Sequence, residues 1–512
     1  MSGQNPSDRT IRIEPWNEAN RTLVDHVHPS DWRQPTAEGR YHLVVIGAGT
    51  AGLVSAAIAA SLGAKVALVE RHLMGGDCLV VGCVPSKGVI RAARAWAEAR
   101  RAAERFGAPV EKRGEGDFAH AMQRMREIRA AISAHDAAAR FRDLGVDVFL
   151  GHARFVAGDA VEVDGQRLEF RRAIVATGAR AAVPPIDGLQ TAGYRTNDDI
   201  FQLTERPERL AVIGGGPIGC ELGQAFARFG SRVTIVDRGE RILSNDAPRA
   251  SELVAQSLRA DGVELIPEAT VTAARPIAGG RSLTIESGGN SRQLDVDEIL
   301  VAVGRSPNVE DLGLEAAGVE ADRGGVHVDS RMQTTNSRIF SIGDVASTHK
   351  FTHVADAQAR MVVRNALFYG REKVDDLVVP WCTYTDPEVA HVGYRPDDAR
   401  AAGFEVDTIE VEMADVDRAR LDGATDGFLE VYLRDGSDEI LGATLVAERA
   451  GDMISAVTLA ITHGLGLGKF SETIFPYPTQ AEILRKAGDL YKRRGLTSTA
   501  EKLFDFYFGA LS

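Results

Sequence analysis

Cysteine is scarce in this 512-residue sequence, which contains only Cys78, Cys83, Cys220 and Cys382. Four cysteines are too few for a secreted disulfide scaffold, so a close pair in a reducing compartment is expected to be catalytic or metal-binding. Zinc usually takes four ligands in two pairs, and no second Cys or His pair with matching spacing follows Cys83. The metal alternative is therefore the minor one, and Cys220 and Cys382 are interpreted as buried thiols.

Long hydrophobic runs and an excess of positive charge are also absent. No apolar run reaches the roughly 18 residues needed to cross a bilayer, and the amino-terminal MSGQNPSDRTIRIEPW lacks the charged-then-apolar order of a signal peptide. The formal charge of −13 argues against a nucleic-acid surface, which needs clustered Lys and Arg. We therefore predict a cytoplasmic protein of several domains, with neither a membrane nor a nucleic-acid partner.

Two segments repeat one plan of strand, glycine turn, helix and strand. They read YHLVVIGAGTAGLVSAAIAASLGAKVALVE, residues 41–70, and LAVIGGGPIGCELGQAFARFGSRVTIVD, residues 210–237. In each segment the first glycine precedes a strand-end acid by 23 residues. A single glycine fingerprint is weak evidence, but the ordered pattern occurring twice predicts two dinucleotide-binding sites rather than two structural turns.

The glycines and acids of these fingerprints have separable roles. The eight positions are Gly47, Gly49, Gly52, Glu70, Gly214, Gly216, Gly219 and Asp237. The first glycine of each triplet permits a tight turn, the second lets the backbone approach a pyrophosphate, and the third lets helix and strand pack closely. Each acid can accept hydrogen bonds from a ribose. Asp237 would repel a 2′-phosphate, which favours NADH over NADPH, although Arg238 and Arg241 could reach a phosphate.

Outside these units the sequence indicates scaffold. Residues 1–40 are polar and interrupted by prolines, which predicts an extension that packs on the surface or stays mobile. The Ala-rich stretches 91–106 and 122–140 are predicted to be charged, solvated helices. From about Val379 onward, strand-like segments followed by helices indicate an α+β domain.

The cysteine pair lies in GGDCLVVGCVPSK, residues 75–87. Cysteines five positions apart on a regular helix have Cα atoms roughly 8 to 9 Å apart, whereas a disulfide needs less than about 7 Å. We therefore expect a distorted segment, with Gly82 and Pro85 supplying the distortion. So small a ring gains little as a structural staple but suits a reversible redox couple.

Ordered motifs along the chain resemble the FAD-dependent pyridine nucleotide-disulfide oxidoreductases, in particular their mercuric reductase-like branch. The motifs are GAGTAG from Gly47, GGDCLVVGCVPSK from Gly75, ATG at 176–178, GGGPIGCE from Gly214, VGRSPN from Val303, IGD at 342–344, TYTDPEVAHVG from Thr383 and FPYPTQAE from Phe475. The resemblance covers residues 41 to about 488. It implies an α/β fold with two Rossmann-like dinucleotide-binding domains, as in glutathione reductase, plus a carboxy-terminal α+β dimerisation domain and hence a homodimer. The implied division is an extension (1–40), an FAD-binding domain (41–190), an NAD(P)-binding domain (191–304), a second FAD or central part (305–375) and the dimerisation domain (376–512).

The resemblance also implies the cofactors and further site residues. FAD belongs to the first unit and NADH or NADPH to the second. The resemblance assigns four further residues to the FAD site: Lys87, near the flavin ring, Thr177, Gly178 and Asp344. It assigns Gly304 to the site of the nicotinamide nucleotide. Glu221 lies where a partner for Lys87 is expected. Cys83 is then the sulfur beside the flavin and Cys78 the sulfur that attacks or ligates the substrate, with Lys87 and a helix N-terminus favouring thiolate.

The FPYPTQAE motif departs from the disulfide reductases of this family. Those enzymes usually carry HPTxxE, in which a His oriented by Glu shuttles the proton; here Tyr477 occupies the His position and Glu482 keeps its place. A phenol with a pKa of about 10 is a poor base at neutral pH. Mercuric reductases resemble this sequence in having Tyr here, because Hg(II) held by thiolates needs no imidazole shuttle. They also carry cysteine pairs near both ends, whereas this sequence ends LFDFYFGALS and has no Cys before Cys78.

Four functions remain open on this evidence. The first is a flavoprotein that passes electrons from NAD(P)H through FAD and the Cys78–Cys83 pair to a small disulfide, thiol-reactive or metal-thiolate substrate. The second is a mercuric reductase that works with this inner pair alone. The third is a dihydrolipoamide dehydrogenase-like enzyme, and the fourth is a non-catalytic binding subunit that keeps the flavin scaffold.

Overall fold

The computed structural model describes residues 11–108, 116–495 and 506–511, which divide into two compact units. The larger unit lies within Met1–Arg100, Val110–Arg238 and Ala269–Leu377. The smaller unit lies within Arg101–Pro109, Gly239–Glu268 and Val378–Ser512. The five-part domain division given above stays a prediction.

Helices and strands alternate through much of the chain. The helices are α1 Glu18–Val27, α2 Thr50–Ser61, α3 Gly76–Val80, α4 Cys83–Phe106, α5 Phe118–Ser133, α6 Ala138–Asp143, α7 Leu189–Ala192, α8 Pro217–Arg228, α9 Pro248–Ala260, α10 Thr352–Phe368, α11 Pro396–Ala401, α12 Asp417–Asp422, α13 Ala450–Thr462, α14 Gly468–Glu472 and α15 Glu482–Arg494. The strands are β1 Arg40–Ile46, β2 Val66–Glu70, β3 Val146–Leu150, β4 Ala153–Ala157, β5 Ala160–Val163, β6 Gln166–Val175, β7 Ala179–Ala181, β8 Arg209–Ile213, β9 Arg232–Val236, β10 Glu264–Ile266, β11 Ala269–Ile277, β12 Gly280–Ser287, β13 Asn290–Val296, β14 Glu298–Val301, β15 Arg305–Pro307, β16 Ala321–Asp322, β17 Gly325–Val326, β18 Ile339–Ser341, β19 Pro380–Thr383, β20 Glu388–Gly393, β21 Val406–Glu412, β22 Phe428–Arg434 and β23 Ile440–Ala447. Within the described residues, no helix combines the length and the apolarity that crossing a bilayer requires.

The larger unit contains both sequence repeats as parallel α/β units. In the first, β1 pairs in parallel with β2 and β6, and β2 pairs in parallel with β3. Val44 and Val45 of β1 are fully buried, as expected for a parallel strand covered on both faces. In the second, β8 pairs in parallel with β9 and β14. The predicted pair of Rossmann-like units is therefore confirmed.

The smaller unit contains an antiparallel sheet in the order β19-β20-β23-β22-β21. Every residue of β23 is buried, and Ile454 of α13 and Leu484 of α15 belong to the same hydrophobic core. Consecutive strands followed by helices are the α+β arrangement expected from the sequence, which completes the predicted fold class.

The described part of the amino-terminal extension packs on the larger unit, which is one of the two outcomes expected for it. Trp32 donates through Nε1 to the carbonyl of Val148 at 3.0 Å. The side-chain amide of Gln34 donates to the carbonyl of Leu150 at 2.6 Å and accepts from the N–H of Leu150 at 3.0 Å. Both partners lie on β3, the edge strand of the first sheet, whose free backbone groups the extension thus satisfies.

The prediction of one solvated helix over residues 122–140 is wrong in two respects. The helix is divided, because α5 ends at Ser133 and α6 begins at Ala138. It is also partly buried, with Arg126 and Arg129 only 3% and 2% exposed. Their guanidinium groups donate to backbone carbonyls, including that of Leu203 at 2.7 Å for Arg126, which offsets part of the cost of burying these charges.

Candidate active site

A break between two helices brings the paired cysteines together. Helix α3 ends at Val80 and α4 begins at Cys83, so regular helix is interrupted at Val81 and Gly82. A Cβ at position 82 would lie 2.7 Å from the carbonyl oxygen of Asp77, which explains why glycine stands there. The distortion expected from the spacing is confirmed. Cys78 is half-buried, Cys83 is exposed, and both are free thiols.

The two sulfurs are electrostatically unequal. A hydrogen bond from the Cys78 thiol, with further help from Thr352 and the charge of Lys87, lowers the pKa of Cys83 to about 6, although desolvation of the sulfur of this otherwise exposed residue opposes ionisation. The Thr352 hydroxyl lies 3.3 Å from Cys83 Sγ. The same hydrogen bond between the two thiols, reinforced by burial, raises the pKa of Cys78. In the reduced pair the shared proton is therefore held at Cys78 and the negative charge at Cys83.

Lys87 lies one helical turn after Cys83 and forms an ion pair. Its Nζ is 2.9 Å from Glu221 Oε2 of α8, and the Glu221 side chain is 7% exposed. The structure thus brings together two residues that only the family resemblance had paired. The carboxylate fixes the position of a cation whose charge acts on the Cys83 thiolate.

The first glycine turn has the features of a dinucleotide cradle. Gly47 adopts a φ of 101°, and a Cβ on Gly52 would lie 1.8 Å from the Gly47 carbonyl oxygen. Glu70 accepts hydrogen bonds from the N–H groups of Ala48 at 2.7 Å and His72 at 2.8 Å. No side chain caps the N-terminus of α2, so its N–H groups remain available to a pyrophosphate. These features fit the FAD that the sequence implies.

The second turn repeats this geometry for the nicotinamide nucleotide. Gly214 adopts a φ of 110°, and a Cβ on Gly219 would lie 2.0 Å from the Gly214 carbonyl oxygen. Asp237 Oδ2 accepts the Gly215 N–H at 2.5 Å. A Cβ on Gly216 would meet no atom of the described residues within 4 Å, so the space beside it in this part of the structure is open to a phosphate.

Asp344 fits the flavin side of the site. Burial raises the pKa of Asp344, and Arg305 Nε lies 3.7 Å from its Oδ2, too far for a hydrogen bond. The carboxylate thus keeps acceptor capacity for hydroxyl groups of a flavin nucleotide. Arg305 also donates to Asp77, whose pKa burial raises to about 6. Arg305 lies in the VGRSPN motif, but the motif alone indicates no role for its side chain.

The other residues carried over from the family make backbone contacts. Thr177 donates through its hydroxyl to the Asn308 carbonyl at 2.7 Å, and the Gly178 carbonyl accepts from the Asn308 N–H at 3.0 Å. Gly304 has a φ of 128° and accepts from the Ala182 N–H at 2.9 Å. These bonds hold the turns that follow β6 and β14, and the cofactor roles of the three residues stay predictions.

In the smaller unit, Tyr477 and Glu482 have different hydrogen-bond partners. The Tyr477 side chain is 71% exposed, and its hydroxyl donates to Asp417 Oδ2 at 3.2 Å, which raises the pKa of the phenol. Glu482 is buried and accepts from Arg485 Nη2 at 3.2 Å. Asp417 was not signalled by any motif. Because Asp417 raises the pKa of Tyr477, even less phenolate, the form that could act as a base, is present at neutral pH than for a free phenol.

Known proteins match nearly the whole chain. The pyridine nucleotide-disulphide oxidoreductase family matches residues 41–359, and its dimerisation domain matches residues 379–487. A mercuric reductase of Bacillus cereus is 36% identical over 448 residues, which are 87% of this chain and 71% of that protein. A dihydrolipoyl dehydrogenase of Geobacillus stearothermophilus is 33% identical over 87% of this chain and 95% of its own length.

Solved structures give the same likeness. The HOCl-induced flavoprotein disulfide reductase RclA of Escherichia coli has a TM-score of 0.78 and 30% identity, covering 88% of this chain and 100% of its own. Its Cu(II) complex has a TM-score of 0.77 and covers 87% of this chain and 98% of its own. With two glycine cradles and a polarised cysteine pair in place, the chain belongs to the FAD-dependent pyridine nucleotide-disulphide oxidoreductases, a family of flavoenzymes that use NAD(P)H.

Proposed function

We propose that this enzyme reduces a thiophilic acceptor at the Cys78–Cys83 pair with electrons from NAD(P)H. The observation that carries the proposal is the break between α3 and α4, which separates Cys78 from Cys83 and interrupts the regular helix that would hold them apart. When bound, the cofactors supply a hydride from NAD(P)H to flavin and two electrons from flavin to the disulfide. The dimerisation domain supports a homodimer, and we propose a cytoplasmic location.

Side chains around the cysteine pair determine which sulfur holds the proton and which holds the negative charge after reduction. Reduction of the disulfide takes two electrons and one proton and yields a thiol at Cys78 and a thiolate at Cys83. Thr352 and Lys87 stabilise that thiolate, as the low pKa of Cys83 indicates. Cys78 keeps its proton, so attack on a disulfide substrate would need a base to remove it.

The acceptor class we favour is a soft metal ion or another thiol-reactive electrophile. Tyr477 stands where disulfide-reducing relatives carry histidine, and its bond to Asp417 leaves it unsuited to accept a proton. A soft metal ion displaces thiol protons by binding to sulfur, so it needs no such base. The similarity to mercuric reductases, and to a reductase whose structure contains Cu(II), supports this class.

The acceptor class can be tested by comparing turnover of purified enzyme with Hg(II), Cu(II), glutathione disulfide and lipoamide. We expect NADH oxidation with at least one metal ion to exceed that with either disulfide by about tenfold or more, since base catalysis contributes on the order of 10². Tyr477→His should raise disulfide turnover, while Tyr477→Phe should leave metal turnover within about twofold. Faster turnover of a disulfide by the unaltered enzyme would overturn the proposed acceptor class.

The nicotinamide preference is a separate prediction that rests on Asp237. Its carboxylate already accepts the Gly215 N–H, so a 2′-phosphate placed there would meet a negative charge. We expect Asp237→Asn, which keeps an acceptor for Gly215 and removes the charge, to shift the ratio of kcat/KM for NADH over NADPH about tenfold toward NADPH, or about 1.4 kcal/mol. Equal ratios in both proteins would show that Asp237 does not select the cofactor.

A further inference from the structure

Two buried side chains hold the backbone between the active-site cysteines. Arg129 of α5 donates through Nη1 to the carbonyl of Val80 at 2.6 Å. Asn197 donates through Nδ2 to the next carbonyl, that of Val81, at 3.3 Å. Both carbonyls lie inside the small ring that a Cys78–Cys83 disulfide would close. The conformation of this ring, and with it the approach of the two sulfurs, is therefore fixed from outside.

Arg129 brings an uncompensated positive charge to this ring. The residue is 2% exposed, and burial, with repulsion from Arg126, lowers its pKa to about 10, so it stays protonated at neutral pH. Across residues 11–108, 116–495 and 506–511, no carboxylate lies within 4.0 Å of its guanidinium, which bonds to neutral oxygens only. A buried cation without an anionic partner favours any nearby step that creates negative charge.

The amino-terminal helix holds Arg129 in place. Asn20 of α1 is fully buried, and its Oδ1 accepts from Arg129 Nη2 at 2.7 Å. The side-chain nitrogen Nδ2 of Asn20 donates in turn to the carbonyl of Pro15 at 2.9 Å and to that of Ile13 at 3.3 Å. Every polar atom of this side chain is thus used. A continuous chain of hydrogen bonds therefore runs from the amino-terminal extension to the cysteine ring. The sequence alone predicted no function for this extension.

We propose that Asn20 and Arg129 are positioning residues for the Cys78–Cys83 couple, through which the amino-terminal segment raises the reduction potential of the disulfide. This rests on the proposed function, in which the pair is the redox centre. Reduction converts the neutral disulfide, with two electrons and one proton, into a thiol and a thiolate. The ring then carries one negative charge, which the Arg129 guanidinium stabilises. The disulfide form gains nothing comparable.

The potential can be measured without turnover. The intact flavoprotein is equilibrated in glutathione redox buffers, its thiols are alkylated, and the fraction of oxidised Cys78–Cys83 is read by mass spectrometry. We expect Arg129→Met to shift the thiol–disulfide equilibrium about tenfold toward the disulfide, which corresponds to about 30 mV for a two-electron couple. Arg129→Lys keeps the charge but loses the planar guanidinium that donates to two oxygens at once. We expect its shift from the unaltered protein to be smaller than that of Arg129→Met.

Two further variants separate positioning from general stability. Asn20→Ala leaves Arg129 charged but removes the hydrogen bond to one side of its guanidinium. We expect a smaller shift of the thiol–disulfide equilibrium toward the disulfide. This variant also keeps the proposal testable if Arg129→Met folds poorly. Gln123→Ala is the matched control, because Gln123 also joins α5 to the extension, through Asn17 Nδ2 at 2.8 Å, and the side-chain hydrogen bonds of these two residues do not go to the ring. Its equilibrium should equal that of the unaltered protein. The rate of Cys83 alkylation as a function of pH should report a higher thiolate pKa in Arg129→Met, a smaller rise in Asn20→Ala and none in Gln123→Ala.

The outcomes are distinguishable. If folded Arg129→Met and Asn20→Ala show the same thiol–disulfide equilibrium as the unaltered protein, the inference fails, although Cys78 and Cys83 remain a redox pair. A shift of equal size in Gln123→Ala would assign the effect to packing of the extension and likewise overturn it. If the unaltered protein shows no reversible couple at all, the proposed function fails and the inference fails with it.

Discussion

Replacing Cys83 with serine should abolish turnover with every acceptor while leaving hydride transfer from NADH intact. Cys83 holds the thiolate of the reduced pair, and a serine hydroxyl neither ionises near neutral pH nor forms a disulfide with Cys78. We expect the rate of acceptor reduction to fall by at least about 1,000-fold, as when one member of a group of catalytic residues that act as a unit is removed. Anaerobic NADH titration should still bleach the flavin, but the long-wavelength thiolate-to-flavin absorbance should be missing.

Matched serine variants make this result specific. Cys78→Ser keeps a hydroxyl that can donate to the Cys83 sulfur, so the long-wavelength band should persist while turnover is lost. Cys382→Ser alters a half-buried thiol of the smaller unit and should leave both unchanged. A Cys83→Ser enzyme that retains the band and full turnover would show that electrons do not pass through this pair.

The band of the unaltered enzyme should also report the ionisation of Cys83. Its pKa is depressed to about 6 by the hydrogen bond from Cys78, the Thr352 hydroxyl and Lys87. The thiolate, and hence the band, is therefore present above about pH 6 and disappears as the pH falls through that value. Removing the hydroxyl with Thr352→Val should move the midpoint to higher pH.

What the sequence predicted well are features built from residues close together in the chain. The two glycine turns and their strand-end acids lie within single βαβ units, and the break at Gly82 follows from the spacing of two cysteines five positions apart. Local steric rules decide such features, so the structure reproduces them. The pairing of Lys87 with Glu221 needed the family resemblance, because 134 residues separate them.

The contacts that escaped prediction join distant residues or use backbone carbonyls. Thr352 lies 269 residues from Cys83, and no motif marks it. Arg129 was assigned to a solvated helix because charged side chains are rarely buried, yet the Val80 carbonyl gives it a partner. Every residue offers a carbonyl, so a bond from side chain to backbone leaves no complementary residue type in the sequence. The support of the cysteine ring was therefore visible only in the structure.

Two glycines of the second turn should fail in different ways, and the contrast tests the nucleotide site. Gly219→Ala would place a Cβ 2.0 Å from the Gly214 carbonyl oxygen, a backbone atom that cannot move without opening the turn. We expect a loss of about 3 kcal/mol or more in the free energy of unfolding, at the upper end for overpacking, together with loss of flavin reduction by NADH. Calorimetry and stopped-flow absorbance measure the two effects.

Gly216→Ala, by contrast, should leave folding intact and impair binding alone. Within the part of the chain that the structure describes, its Cβ would meet no atom within 4 Å, and the φ of −76° suits alanine. The new methyl group would nevertheless occupy the space through which the backbone approaches a pyrophosphate. We expect an unchanged melting temperature and FAD content, with the Kd for NADH raised about tenfold or more. Normal NADH affinity in Gly216→Ala would mean that the pyrophosphate does not approach this turn, and an unimpaired Gly219→Ala would mean that the turn relaxes without cost to the nucleotide site.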